Sequence, residues 1–178
     1  MASQANRANI ILTGFMGTGK TTTGKLIASQ LDYNFVDTDD LIEERAERTI
    51  PQIFAELGEE AFRQMENDIA VELAEKRGFV IATGGRMMLD SANAEALGAT
   101  GQVICLVATP EEILARIAQD DTGIPRPLLS GPDPADRVRQ LFQEREAAYQ
   151  RFYQITTTGK APTDVAAEVI HFLNAKIS

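Results

Sequence analysis

Eight residues near the N-terminus, Gly14-Phe-Met-Gly-Thr-Gly-Lys-Thr21, follow the spacing G-x-x-x-x-G-K-[ST] without a mismatch. The apolar run Asn9-Ile-Ile-Leu-Thr13 precedes them, and a helical pattern starts at Lys20 and runs to about Gln30. Such a motif carries weight only between a strand and a helix, and this one has that context. Its glycines let the backbone bend so that successive N–H groups point inward, and the helix N-terminus adds the positive end of its dipole. Lys20 is then placed to neutralise β- and γ-phosphates, and the Thr21 hydroxyl to ligate Mg²⁺. The plain alternative is a glycine-rich turn ahead of a helix. The motif predicts nucleoside triphosphate binding and leaves the acceptor open.

The rest of the chain alternates short apolar runs with longer amphipathic ones. Strands are predicted at Asn9–Thr13, Tyr33–Val36, Phe79–Ala82 and Gln102–Val107, with a weaker fifth at Tyr153–Thr156. Helical patterns are clearest at 59–76, 111–119 and 135–151. Nearly continuous apolar strands alternating with helices indicate a parallel sheet covered on both faces. The expected fold class is therefore α/β, a three-layer sandwich around a five-stranded parallel sheet. Thr49-Ile-Pro-Gln52 has a capping-box pattern with an early proline, which predicts a helix start. At 178 residues the chain suits a single domain. One long segment, about 119–134, is rich in Gly, Pro and Asp and reads as a lid.

Charge narrows the partners. The net charge of −9 disfavours nucleic acid, because the basic residues are scattered. The polar first residues lack the apolar stretch of a signal peptide, and no apolar run approaches the roughly 18 residues that span a bilayer. A soluble cytoplasmic protein is expected, and the lone Cys105 fits a reducing compartment. Cys105 reads as a small core residue, and His171 as a solvated side chain on a terminal helix. No Cys or His cluster supports structural zinc.

In open α/β sheets ligands bind beyond the carboxyl ends of the strands. Asp37-Thr38-Asp39-Asp40 follows the second predicted strand, and Thr83-Gly84-Gly85 the third. Carboxylates crowded beside a triphosphate make sense if one handles the metal and another accepts a hydroxyl proton; helix capping is the competing account. Arg145 falls on the apolar stripe of Val138, Leu141, Tyr149 and Phe152. A guanidinium there either meets an anion or snorkels to the surface. Arg63, beside Phe62, either serves the site or pairs with Glu59, Glu66 or Asn67 on an exposed face. Arg126 in Pro125-Arg-Pro-Leu-Leu129 is either a mobile cation over the phosphates or a loop charge.

Taken together these segments resemble the shikimate kinases, a nucleoside-monophosphate-kinase-like branch of P-loop proteins. The resemblance spans about Asn9 to Phe172 and rests on the 14–21 loop, Asp37-Thr-Asp39, Gly58-Glu-Glu-Ala-Phe-Arg63-Gln-Met-Glu66, Thr83-Gly-Gly85, Arg126-Pro-Leu-Leu129 with Gly131-Pro-Asp133, and Glu144-Arg145 with Tyr149. It implies ATP-dependent phosphorylation of the 3-hydroxyl of shikimate, with Mg²⁺, in one P-loop kinase domain with substrate-binding helices over about 37–77. By the same resemblance Gly14, Met16, Gly17, Thr18, Gly19, Lys20, Thr21, Thr22, Arg126 and Pro162 would contact ATP. Asp39 would hold the attacking hydroxyl as base, with Lys20 and Arg126 sharing the catalysis. Asp37 and Thr21 would serve the metal, and Arg63, Gly84, Gly85 and Arg145 would bind shikimate alongside Asp39. A monomer is expected.

The family usually carries three glycines where this chain has Gly84-Gly85-Arg86. If that third position needs φ > 0, arginine there is strained by on the order of 1 kcal/mol. Arg86 therefore keeps two alternatives open: a kinase for another hydroxy acid such as gluconate, and a nucleotide-binding protein that has lost phosphotransfer.

Overall fold

A computed structural model describes residues 7–119 and 133–177. The proposed lid thus falls almost wholly, and Arg126 entirely, outside the described residues. The element order is β1 (Asn9–Thr13), α1 (Lys20–Leu31), β2 (Asn34–Asp37), α2 (Thr38–Ala46), α3 (Ile50–Glu56), α4 (Gly58–Ala74), β3 (Phe79–Ala82), a 3₁₀ turn (Met87–Leu89), α5 (Ser91–Gly98), β4 (Gly101–Val107), α6 (Pro110–Ala118), α7 (Pro134–Tyr149), β5 (Tyr153–Thr156) and α8 (Pro162–Ile177). The strands form one sheet in the order β2-β3-β1-β4-β5, and every pairing is parallel. Both the architecture and the number of strands agree with the sequence reading.

Strand periodicity divides the core. Ile10, Leu12, Val80, Ile104 and Leu106 point to one face, where they pack with Ile27 of α1 and Val165 and Val169 of α8. Ile11, Ile81 and Val103 point to the other and meet Ile42, Ile53, Phe62, Ile69, Leu73 and Leu97 from α2 to α5. Each such side chain contributes about 1.5–3 kcal/mol when taken fully from water. Because both faces are covered, the central strands read as unbroken apolar runs. β2 and β5 are edge strands, and their partial exposure explains the weaker signal of β5.

The strand ends align by register. Thr13 pairs with Cys105, Leu12 with Ala82, and Asp37 with Ala82, so the segments after β1, β2 and β3 leave the sheet along one edge. A further cluster of Phe15, Cys105, Ile113, Val138, Leu141 and Tyr149 packs α6 and α7 against that edge. α3 starts with the predicted capping box: Thr49 accepts from the Gln52 backbone, and the Gln52 side chain accepts from the Thr49 N–H. Among the described residues, no helix is long and apolar enough to cross a membrane. Cys105 is fully buried, which pushes its thiol up to about 12, and His171 is exposed.

Candidate active site

The loop between β1 and α1 wraps tightly because three glycines, Gly14, Gly17 and Gly19, take positive φ. Gly14 has φ 134°, and a Cβ there would lie 2.2 Å from the Leu106 carbonyl oxygen. Gly19, at φ 89°, turns the chain into α1. The Lys20 ammonium donates to the carbonyls of Gly14 and Phe15, both at 2.9 Å, which holds it across the loop mouth. Thr18 is buried and donates to the Phe15 carbonyl, while Thr22 is exposed.

Asp37 has two functions at once. Its Oδ1 caps α2 by accepting from the Asp39 N–H at 3.0 Å, and its Oδ2 accepts from the Thr21 hydroxyl at 2.6 Å. The capping and metal-handling accounts are therefore compatible. A hydroxyl and a carboxylate in contact beside a lysine are the hard oxygen donors that Mg²⁺ takes, with water and phosphate filling its remaining positions. Among the described residues, no group of three or more His, Cys, Asp or Glu side chains could hold a metal ion.

Asp39 lies in the first turn of α2 and is directed beneath the segment after β3. Its Oδ1 is buried without a hydrogen-bond partner among the described residues. Burial, reinforced by the negative charges of Asp37 and Glu66 and opposed by Lys20, pushes its carboxyl up to about 7. The Gly84 N–H donates to the Thr38 hydroxyl at 2.9 Å, tying the ends of β2 and β3 together. A Cβ on Gly84 would come within 2.6 Å of Asp39 Oδ1, so glycine is required there for space.

These residues line a cavity of about 230 Å³, smaller than the roughly 300–1,000 Å³ of drug-sized sites. Met16, Asp39, Arg63, Glu66, Gly84, Gly85, Arg86 and Arg145 surround it, with Ile50, Phe54 and Phe62 as an apolar wall. Arg145 is only 6% exposed and lies over the Phe15 ring, 5.5 Å from its centre. The snorkelling account is thus excluded. Burial holds its guanidinium below its ordinary value. The Tyr149 hydroxyl, one turn on, donates to the Gly85 carbonyl and pins α7 against the glycine segment.

 Arg63 reaches the same cavity from α4, and its own partners are local, Glu59 and Glu66 of the same helix. Its guanidinium donates to Glu66 Oε2 at 2.6 Å and to Glu59 Oε1 at 3.0 Å. The exposed-face account of Arg63 is corrected on one point: Glu66 is only 2% exposed, and the pair faces the cavity. Burial raises the Glu66 carboxyl, with Arg63 opposing the shift.

Arg86 departs from the strain expectation. Its φ is −109°, ordinary right-handed backbone, so no left-handed conformation opposes a side chain there. Its guanidinium turns to Glu59 Oε1 at 2.8 Å on the cavity rim.

Pro162 opens α8, just beyond the turn at Thr157–Lys160. Sequence reasoning missed Arg116 of α6, which donates to the Gly17 carbonyl at 3.2 Å and to the Thr157 carbonyl at 2.7 Å. It thereby clamps the phosphate loop to the turn before Pro162. In sequence it reads as half of an ordinary Glu112–Arg116 helix pair, which it also forms. A larger cavity, about 560 Å³, lies beyond Phe15 between β4, β5 and α7, and is not lined by Lys20, Asp39, Arg63 or Arg145.

Comparison with known proteins covers nearly the whole chain. The shikimate kinase family model matches residues 16–174. A shikimate kinase from Thermoanaerobacter pseudethanolicus is 44% identical over 164 residues, covering 91% of this chain and 94% of the relative. The structure of a shikimate kinase from Acinetobacter baumannii in complex with shikimate superposes with a TM-score of 0.89 at 34% identity, covering 97% of this chain and 96% of that one. A gluconokinase from Sinorhizobium meliloti reaches a TM-score of 0.60 at 15% identity over 94% of this chain and 92% of its own, and shares the fold alone.

Proposed function

The chain belongs to the shikimate kinase family, and from that premise we propose how its residues divide the transfer of a phosphoryl group from ATP to shikimate. The protein is a kinase that phosphorylates shikimate at the expense of ATP. Neither a gluconate-type acceptor nor loss of phosphotransfer is favoured. The acceptor oxygen is the 3-hydroxyl. Lys20 leaves the Gly14 and Phe15 carbonyls to neutralise the β- and γ-phosphates, which the backbone of Gly14, Met16, Gly17, Thr18 and Gly19, with Thr21 and Thr22, surrounds. Pro162 borders the adenine, and Arg126 descends over the phosphates with a lid over about 119–134. Thr21 and Asp37 are the residues that would hold Mg²⁺, which when bound neutralises charge on the phosphates.

Arg145 and Arg63 hold the acceptor carboxylate, using the forked hydrogen bonds that guanidinium provides and ammonium does not. Gly84 and Gly85 let the acceptor approach the backbone. Asp39 accepts the hydroxyl proton as the oxygen attacks the γ-phosphorus and ADP departs. A base titrating near neutrality suits that task. The whole chain forms one kinase domain, with its acceptor helices over about 37–77. It acts as a monomer in the cytoplasm; the buried, reduced Cys105 fits that compartment.

The observation that carries these roles is a single small cavity lined by Asp39, Arg63 and Arg145 beside the phosphate loop. An ADP-release assay with shikimate and gluconate tests the acceptor, and turnover of shikimate is expected to dominate. Arg145→Ala is expected to cost about 2–5 kcal/mol in kcat/KM for shikimate, the loss of a desolvated charged contact. KM for ATP stays within about twofold, because the change touches only the acceptor. Unchanged acceptor kinetics would remove Arg145 from the site.

A further inference from the structure

Three cations approach the acceptor cavity from separate parts of the chain: Arg63 from α4, Arg86 from the segment after β3, and Arg145 from α7. Two carboxylates accompany them. Glu66 pairs with Arg63 from inside, while Glu59 Oε1 accepts from Arg63 at 3.0 Å and from Arg86 at 2.8 Å. Three positive charges thus stand against these two carboxylates and that of Asp39, which titrates at about 7. Without Arg86, Glu59 keeps only Arg63, which it shares with Glu66, to offset its charge.

Glu59 is an ionised group in this setting. The hydrogen bond from Arg63, followed by the charges of Arg63, Arg86 and Arg145, holds its carboxyl below the usual range. It lies on the rim, with its side chain 54% exposed. It lines an adjoining cavity that shares Arg63, Glu66 and Arg86 with the acceptor cavity, which sets its charge beside the site of an anionic acceptor.

We propose that Arg86 is a positioning residue that sets acceptor affinity by neutralising Glu59 beside the cavity, so that this carboxylate does not repel an anionic acceptor. The proposal rests on the reading of the cavity as the shikimate site. Arg86 acts through Glu59 and not by touching the reacting atoms. Its effect is therefore on acceptor binding, it is electrostatic, and it disappears when Glu59 loses its charge.

The experiment is a double-mutant cycle with the full chain, measuring acceptor KM, kcat and KM for ATP at low and at high ionic strength. Arg86→Ala is expected to raise the shikimate KM about threefold to tenfold at low salt, the size of one uncompensated charge near the rim. Both kcat and KM for ATP stay within about twofold, and the rise shrinks at about 0.5 M KCl as screening takes over. Arg86→Lys keeps the parent KM. Arg86→Ala combined with Glu59→Gln, which retains an acceptor for Arg63, restores KM to within about twofold of the parent. Thermal melts of every variant verify folding.

An unchanged KM in folded Arg86→Ala overturns the proposal, as does a loss confined to kcat. A rise that persists in the double variant also overturns it, since Arg86 then does not act through Glu59. Absence of shikimate turnover in the parent chain overturns the acceptor reading and this inference with it. Parent turnover with a failed cycle overturns the inference alone.

Discussion

Asp39 shows how one carboxyl couples chemistry to stability. Its folded value of about 7 lies above the usual carboxylate value of about 3.9, so the native state holds a proton that the unfolded chain has released. Ionising it therefore removes stability as pH rises from about 4 to about 7, and the loss is complete above that. Asp39→Asn is expected to raise the melting temperature of the ligand-free protein at pH 8, with the gain shrinking toward pH 4. The same substitution should lower turnover by at least about 100-fold, the contribution of a positioned base. In the parent, kcat/KM for shikimate should fall below about pH 7. A pH-independent melting gain, or no acid limb in kcat/KM, contradicts the assignment. Arg86 teaches the opposite lesson. A glycine-to-arginine departure looks costly in sequence, yet at φ −109° the backbone accepts it without strain.

Elements with a strong local signal were legible before the fold was known. The central strands appeared as apolar runs because helices cover both faces, and α3 announced itself through Thr49 and Gln52. Boundaries moved by one or two residues: β2 runs Asn34–Asp37, and α4 and α7 stop at Ala74 and Tyr149. The 3₁₀ turn at Met87–Leu89 escaped notice because three residues carry no periodicity, and its methionines are buried by neighbours distant in sequence. Asn9 was similarly opaque. Within an apolar strand it is fully buried, donating to the Lys76 carbonyl at 2.8 Å and accepting from the Phe79 N–H at 3.0 Å. It thereby ties the chain leaving α4 to the start of β3. Asn9→Ala should destabilise the protein by about 1–3 kcal/mol in urea unfolding, because two partly buried backbone groups lose their partner. Because Asn9 begins β1 at the end of the sheet opposite the site, KM values should not change.

Across the molecule, the parallel sheet brings loops remote in sequence to one edge, so the proposed nucleotide and acceptor sites are built from different segments. Each ligand binds only the folded chain, and ATP with Mg²⁺ at 100 times its Kd should add about 2.7 kcal/mol of stability. For a chain of this size that is roughly 5–10 °C in melting temperature. Lys20→Ala should abolish the ATP shift and keep the shikimate shift; loss of both would mean that the two sites are not separable in this way.

What the amino-acid order determined alone was local: the phosphate loop, the strand and helix periodicities, the caps, and the candidate identities of Asp39, Arg63 and Arg145. Those signals act within a few residues, through backbone geometry and the spacing of apolar side chains. Only tertiary structure decided that Asp39 Oδ1 is buried against Gly84, that Glu66 faces inward, that Arg116 clamps two loops and that Arg86 and Arg63 share Glu59. Burial and charge balance are sums over neighbours from distant segments, and those neighbours exist only once the sheet has assembled.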